Sequence, residues 1–271
     1  MAKIIAIANQ KGGVGKTTTC VNLAAYFAAF GKRVLIVDND PQGNASSGLG
    51  IEKHKVKNSV YGLIIGDCSA EEAIIPTGVE RLDIIPSNID LAGAEAELVT
   101  LESRESSLKR AIVPVKDNYD YIFIDCPPFI GLLTLNALTA ADSILIPMQG
   151  EYFALEGLGQ LMNTIKLVKK ILNPKLEIEG VVITMYNSRT NLVNSVAQEI
   201  SHYFGKKAFN TRIPRSVRLA EAPSFGMPIS QFDPTSAGGI AYKNLAEEML
   251  NRNHDPFDSI KNPSTLKKKI N

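Results

Sequence analysis

Short apolar runs alternate with longer amphipathic segments along most of the chain. Each run has the length of a strand and contains few polar residues, which is typical of parallel strands covered on both faces. The predicted strands are residues 3–8, 33–38, 81–86, 121–126, 143–148, 180–185 and 208–213. This alternation predicts an α/β fold: one doubly wound domain with a mostly parallel twisted sheet and helices on both faces.

Helix-length segments lie between these strands. The clearest predicted helix runs from Lys16 to Phe30 and stops at Gly31, because glycine commonly ends helices. The other predicted helices cover residues 154–172, 191–203 and 239–252. We find no repeat and no linker, so we expect one domain over residues 1–252. A polar, basic and flexible tail is expected over residues 253–271.

Composition narrows the class of protein. Of 271 residues, 45% are hydrophobic and 21% are charged, and the net charge is +1. This composition predicts a globular protein that is not a generally basic nucleic-acid binder. The sequence has no secretory signal and no apolar stretch of about 18 residues, which predicts a cytoplasmic protein without a membrane span. The three cysteines are expected to be buried free thiols: Cys20, Cys68 and Cys126.

The stretch "KGGVGKTT" joins the first predicted strand to the first predicted helix. Glycines let successive backbone amides turn towards phosphate oxygens, and the helix start adds partial positive charge. The candidate phosphate-binding residues are Gly12, Gly13, Val14, Gly15, Lys16, Thr17 and Thr18. Lys16 is predicted to reach the β- and γ-phosphates, and Thr17 to bind Mg²⁺ directly. Gln10 stands where the usual pattern has glycine, and an extra lysine, Lys11, stands at the mouth of the loop. From there Lys11 could serve a nucleotide bound by a second copy of the chain.

Two predicted strands end in aspartates. "RVLIVDNDP" places Asp38 at one strand end and Asp40 just beyond it, and "YIFIDCPP" places Asp125 at another. Parallel strands present their carboxyl ends to one crevice, so these side chains are expected beside the loop. Asp40 is predicted to orient the attacking water and Asp125 to hold Mg²⁺ through water, while Asp38 supports either the Mg²⁺ shell or the loop. Asp38 and Asp40 are, like Asp125, candidate Mg²⁺ ligands through water. The sequence therefore indicates a P-loop NTPase that hydrolyses ATP slowly with Mg²⁺.

Positive charge is concentrated between Met185 and Arg218. Six lysines and arginines against one acid give this segment +5, in a chain whose total is +1. A basic face is typical of proteins that bind DNA phosphates, although an ordinary solvated face would look the same. The candidate DNA-binding residues are Arg189, Lys206, Lys207, Arg215 and Arg218.

These motifs together resemble the ParA/Soj family of chromosome and plasmid partitioning ATPases, over about residues 3–252. "KGGVGKTT" is similar to the deviant Walker A motif of that family, and "DNDPQGN" to its switch I segment. The resemblance implies that Lys11 crosses the interface of an ATP-bound homodimer to the partner's phosphates. It also implies that Pro214 and Ser216 line the base of the nucleotide. The residues thus assigned to catalysis are Lys11, Lys16 and Asp40.

The same resemblance implies a cycle on the nucleoid. The dimer binds double-stranded DNA non-specifically, with Arg189 and Arg218 at the matching positions, and releases it on hydrolysis stimulated by a ParB-type centromere-binding partner. In relatives an N-terminal extension often engages that partner. Only Met1 and Ala2 precede the first predicted strand here, so we expect this contact to be weak or to form elsewhere.

Three other functions share parts of this pattern. A MinD-like, membrane-cycling ATPase needs an amphipathic C-terminal helix, whereas the tail has few apolar residues and a proline, Pro263. Those apolar residues are Phe257, Ile260, Leu266 and Ile270. An iron–sulfur electron donor related to the nitrogenase iron protein needs paired cysteines, and Cys126 has no convincing partner. A tyrosine-autophosphorylating kinase needs a terminal tyrosine cluster, and no tyrosine follows Tyr242.

Overall fold

The computed structural model describes residues 2–99, 102–151 and 154–255, apart from the side chains of residues 154–156. Within these residues the centre of the fold is an eight-stranded sheet with the order β3-β4-β2-β5-β1-β6-β7-β8. The strands are β1 (Lys3–Ile7), β2 (Val34–Asp38), β3 (Ile75–Pro76), β4 (Leu82–Ile85), β5 (Tyr121–Asp125), β6 (Ser143–Gln149), β7 (Glu177–Tyr186) and β8 (Ala208–Pro214). All neighbouring pairs are parallel except β3 and β4. The predicted doubly wound, mostly parallel α/β fold is confirmed.

Twelve helices lie in the described part of the chain. They are α1 (Lys16–Ala29), α2 (Asn44–Gly48), α3 (Val60–Ile65), α4 (Ala70–Ala73), α5 (Leu91–Leu98), α6 (Ser107–Ile112), α7 (Leu132–Ala140), α8 (Ala154–Ile171), α9 (Asn191–Phe204), α10 (Val217–Glu221), α11 (Ile229–Phe232) and α12 (Ala237–Arg252). The four predicted helices correspond to α1, α8, α9 and α12. None of the helices described is long and apolar enough to cross a bilayer.

Each face of the sheet has its own hydrophobic core. Side chains alternate along β1, so Ile5 and Ile7 point into one core, and Ile4 and Ala6 into the other. The first core contains buried residues of α1 and α12, and the second contains those of α7, α8 and α9. This two-sided burial explains why the strands read as continuous apolar runs instead of alternating ones.

The three central strands bring their carboxyl ends together. β5 lies between β1 and β2, with Ile7 and Asp38 both in register with Asp125. The loop predicted to bind phosphate leaves β1, so it starts beside the two aspartates at the ends of β2 and β5.

The predicted tail begins against this domain. The Nζ atom of Lys3 donates a hydrogen bond to Asn253, and Asp255 contacts Lys32 and Tyr121. Residues 256–271, and with them the apolar residues and the proline weighed in the MinD-like alternative, lie outside the described residues.

Candidate active site

The loop between β1 and α1 has the backbone of a phosphate cradle. Gly13 and Gly15 have φ angles of +72° and +84°, a left-handed conformation that glycine adopts without steric cost. The hydroxyl of Thr184 donates to the carbonyl of Val14 at 2.8 Å, and the Gln149 amide donates to the carbonyl of Gly13 at 2.9 Å. The ends of β6 and β7 therefore hold the loop by the carbonyls of Val14 and Gly13, and these bonds occupy none of the loop amides.

Lys16 is the first residue of α1 and its side chain turns back into the loop. It is only 7% exposed, and its Nζ atom donates to the Lys11 carbonyl at 3.3 Å. Burial lowers the pKa of Lys16, while the nearby carboxylates, Asp125 first, oppose that shift. A cation that is desolvated here and only weakly bonded is suited to bind phosphate. Thr17 and Thr18 follow it and are half-buried.

Asp38 and Asp125 are fully buried next to each other. Oδ2 of Asp38 accepts hydrogen bonds from the Ser46 amide at 2.7 Å and the Ser46 hydroxyl at 2.6 Å. The other oxygen of Asp38 and both oxygens of Asp125 have no hydrogen-bond partner among the described residues. Burial raises the pKa of both carboxyls, that of Asp38 to about 6 and that of Asp125 well above its ordinary value, where Asp38 adds to the effect.

These orphaned oxygens fit a hard cation. Mg²⁺ prefers oxygen ligands and keeps several of its waters, so it needs only one or two carboxylates together with substrate phosphates. The Thr17 hydroxyl is close enough to Asp125 to lower the carboxyl pKa, although no well-formed hydrogen bond joins them. No group of three or more His, Cys, Asp or Glu side chains in the described residues could hold a metal ion by itself. The donor set therefore suits an ion shared with a bound nucleotide.

Asp40 lies in the turn just after β2. It is 6% exposed, and its Oδ1 accepts a hydrogen bond from the Gln42 amide at 2.9 Å. It is close enough to Asp38, Asp125 and Lys16 to influence the pKa of each. The structure thus brings Asp40 into the same crevice as the loop.

A cavity of about 210 Å³ opens beside the loop. Gly15 and Thr18 line one side, and Pro214, Arg215 and Ser216 line the other. The structure therefore brings the predicted base-binding residues and the predicted phosphate-binding residues to one cavity. The sequence did not indicate Thr184, which also lines it.

Lys11 is not free at the mouth of the loop. Its Nζ atom forms an ion pair with Glu151, and the two side chains are 37% and 57% exposed. Glu151 was not predicted from the sequence. It follows the predicted strand at 143–148 and so lies at the carboxyl ends of the strands, as Asp38 and Asp125 do, and this position could have indicated it.

The predicted basic residues do not form a single face. Arg189 follows the carboxyl end of β7, and Arg215 and Arg218 follow that of β8. Lys206 and Lys207 precede the start of β8 and line a different cavity, together with the first residues of β1 and β7. Because β7 and β8 are parallel, the two lysines lie at the amino-terminal end of the strands and the arginines lie at the carboxyl-terminal end. The five residues therefore do not lie together; the three arginines, all exposed, follow the carboxyl ends of two neighbouring strands, and their role in DNA binding stays a prediction.

Residues 214–226, which we call the arginine segment, run from the nucleotide cavity through α10 to Gly226. Arg218 projects from α10, where Nε donates to Asp233 at 2.8 Å and Nη1 donates to Glu221 at 2.9 Å. Its guanidinium also lies 5.0 Å from the ring centroid of Phe232. Arg218 is thus oriented on the surface by two carboxylates.

The fold and this site define a P-loop ATPase. A family model described as an AAA domain matches residues 2–178. The sporulation initiation inhibitor protein Soj of Bacillus subtilis is 60% identical over 92% of this chain and 98% of its own length. The chromosome partitioning protein ParA of Myxococcus xanthus is 51% identical over 93% of this chain and 89% of its own length.

A solved structure shows the same fold with nucleotide. It is described as cobyrinic acid a,c-diamide synthase from Mycobacterium smegmatis with bound ADP and magnesium, and it is 38% identical with a TM-score of 0.83. The alignment covers 94% of this chain and 96% of that one. From the sequence relatives, the chain belongs to the ParA/Soj family of partitioning ATPases and is an ATP-hydrolysing P-loop enzyme.

Proposed function

We propose that this chain is a DNA-partitioning ATPase that binds Mg²⁺ and ATP, dimerises around the nucleotide and holds non-specific double-stranded DNA until hydrolysis releases it. One observation carries this proposal: Pro214, Arg215 and Ser216 form a wall of the nucleotide cavity, and the same arginine segment continues to the exposed Arg218. The same stretch of backbone therefore contacts the nucleotide and carries the arginines, so a change at the nucleotide can move the arginines.

The roles at the nucleotide follow from the geometry. Lys16 and the loop amides bind the phosphates, and the Thr17 hydroxyl with the orphaned oxygen atoms of Asp125 holds Mg²⁺, which neutralises charge on the phosphates when bound. Asp40 orients the water that attacks the γ-phosphate. One oxygen of Asp38 already holds Ser46, so only its Oδ1 would be available to the ion or its waters. Positioning by a single carboxylate supports slow hydrolysis until a ParB-type partner accelerates it.

Lys11 acts in the dimer. In the single subunit it lies at the loop mouth, paired with the exposed Glu151 and not with the site of its own phosphates. Two triphosphates that face each other across an interface repel one another, and a crossing cation from each subunit offsets that repulsion. The proposed dimer therefore exchanges each Lys11–Glu151 pair for a contact between Lys11 and the partner's nucleotide.

The DNA surface consists of Arg189, Arg215 and Arg218. Exposed arginines without a base-reading element provide phosphate contacts, which carry affinity but no sequence preference. Dimerisation places two such surfaces on one particle, so two weak contacts act together. These properties suit a cytoplasmic protein that associates with the nucleoid.

The test is binding of the full chain to random-sequence duplex DNA and to anionic liposomes, each with Mg²⁺ and ATP or ADP. We expect ATP-dependent DNA binding that weakens steeply with salt, and no ATP-dependent binding to liposomes. Liposome binding without DNA binding would overturn the proposal in favour of a MinD-like membrane cycle.

A further inference from the structure

The switch I helix α2 lies between the candidate Mg²⁺ site and the arginine segment. In the middle of α2, Ser46 donates to Asp38 through its amide and its hydroxyl, and the Ser46 hydroxyl accepts a hydrogen bond from the Ser87 amide at 3.0 Å. Asp38 in turn is in register with Asp125. The position of α2 is therefore tied to a buried carboxylate whose remaining oxygen has no hydrogen-bond partner among the described residues.

The carboxyl-terminal end of α2 touches the end of the arginine segment. A Cβ atom built on Gly226 would lie 2.7 Å from Cα and 3.0 Å from N of Gly50, closer than real Cβ atoms approach. A Cβ on Gly50 would lie 3.3 Å from the Gly226 carbonyl oxygen, and one on Gly48 3.8 Å from Cβ of Pro223. The backbones thus meet closely: a Cβ is sterically excluded at Gly226, and one at Gly50 would require the Gly226 backbone to move slightly.

The arginine segment is also short and stiff between this contact and its arginines. α10 continues directly into a 3-10 turn, Ala222–Phe225, which ends at Gly226. Leu219 and Ala222 are buried in the same core as Ala45 and Leu49 of the α2 region. A shift of α2 therefore displaces this segment as a unit, because packed interiors resist continuous deformation.

We propose that α2 couples the nucleotide site to the DNA surface through the Gly50–Gly226 contact, and that both glycines are positioning residues for DNA binding. This inference rests on the proposed function. When Mg²⁺ and ATP are bound, Asp38 would help to hold the ion while it holds α2 through Ser46, and α2 would hold the arginine segment in its DNA-binding position. After hydrolysis this support weakens and the arginines lose their alignment.

The chain offers a graded series of alanine variants. Gly226, Gly50 and Gly66 all have left-handed backbones, with φ angles of +64°, +79° and +93°. All three substitutions therefore carry the same kind of backbone cost. A Cβ at Gly66 meets nothing within 4 Å, so Gly66→Ala is the matched control.

The experiment measures the affinity of the full chain for a fluorescent random-sequence duplex, with Mg²⁺ and either ADP or a non-hydrolysable ATP analogue. The ratio of the two affinities is the coupling, and linked sites commonly show a factor of about 5–150. We expect this ratio to fall in Gly226→Ala to the part that dimerisation alone supplies, to be intermediate in Gly50→Ala, and to be unchanged in Gly66→Ala. Sedimentation should show that the analogue still produces a dimer in each variant.

Reciprocity gives a second readout that a merely structural defect would not move. The factor by which DNA tightens binding of the analogue, divided by the same factor for ADP, must fall by the same amount as the coupling ratio. A folded Gly226→Ala variant with the wild-type ratio, or an equal loss in Gly66→Ala, would overturn the inference. If Gly226→Ala does not fold, the intermediate ratio expected of Gly50→Ala decides in its place. Nucleotide-independent DNA binding by the wild type would instead remove the proposed function itself.

Discussion

Removal of Lys11 should strongly weaken the nucleotide-dependent dimer while leaving nucleotide binding intact. The phosphate cradle of one subunit consists of Lys16 and the loop amides, and the Lys11 side chain points away from it to Glu151. Lys11→Ala therefore changes no contact that a single subunit makes with its own nucleotide. The loss should appear only when two subunits associate.

The structure sets the size of this effect. Deleting one member of a desolvated, hydrogen-bonded charge pair at an interface costs about 2–5 kcal/mol. An ion pair as exposed as Lys11–Glu151 contributes about 0–1 kcal/mol, so little is recovered when Lys11 leaves it. A symmetric dimer loses two such contacts. The net loss is at least about 2 kcal/mol, which weakens the dimer about 30-fold or more.

Sedimentation velocity with Mg²⁺ and a non-hydrolysable ATP analogue measures this effect, and calorimetry on the same samples measures nucleotide affinity. Glu151→Gln is the matched control, because it removes the same ion pair but keeps the lysine. It should leave the dimer unchanged or strengthen it by up to about 2 kcal/mol. A Lys11→Ala variant that dimerises normally would refute the crossing role, and equal weakening by Glu151→Gln would show that Glu151 itself is an interface contact.

Three further predictions concern the carboxylates and the basic residues. Asp40→Ala should bind ATP and dimerise but turn over far more slowly, which size-exclusion chromatography would show as a persistent dimer; normal turnover would make Asp40 only a turn residue. Arg218→Ala should weaken DNA binding and reduce the slope of log affinity against log salt concentration by about one. Lys206→Ala, at the opposite end of the strands, should change neither quantity in a filter-binding titration. Asp38→Asn should stabilise the nucleotide-free protein near neutral pH. Burial raises the pKa of Asp38 to about 6 from about 3.9 unfolded, so its contribution to stability is present below about pH 4 and lost as pH rises through about 6. Denaturant titrations from pH 4 to 7 should show the variant gaining about 3 kcal/mol over the wild type; a constant difference would contradict this reasoning.

The long elements were predictable because both faces of the sheet are buried. The strands around Ile36 and Phe123 are continuous apolar runs, and each ends at an aspartate. The short helices between residues 44 and 112 were not predicted, since segments of four to eight residues are too short to show helical periodicity. β3 was also missed, because it is a two-residue antiparallel edge strand that includes Pro76.

The residues expected to bind the nucleotide could be predicted where they belong to a sequence motif. The sequence indicated Asp38, but not that one of its oxygens is already occupied by Ser46. Such a pairing depends on the path of a loop, which sequence spacing does not define. The separation of Lys206 from Arg215 was in principle visible, because one precedes the last predicted strand and the other follows it. A count of charges along the chain does not show at which end of a strand each charge lies.

The state of the three cysteines has a practical consequence for spectroscopy. Burial raises the pKa of all three thiols, but Cys20 and Cys126 are fully buried whereas Cys68 is partly accessible. A maleimide dye should therefore label the native chain at Cys68 without mutagenesis. Since the chain has no tryptophan, an introduced indole would be its only intrinsic fluorophore of that kind. Energy transfer from an indole in the arginine segment to a dye on Cys68 could follow the movement of that segment during turnover.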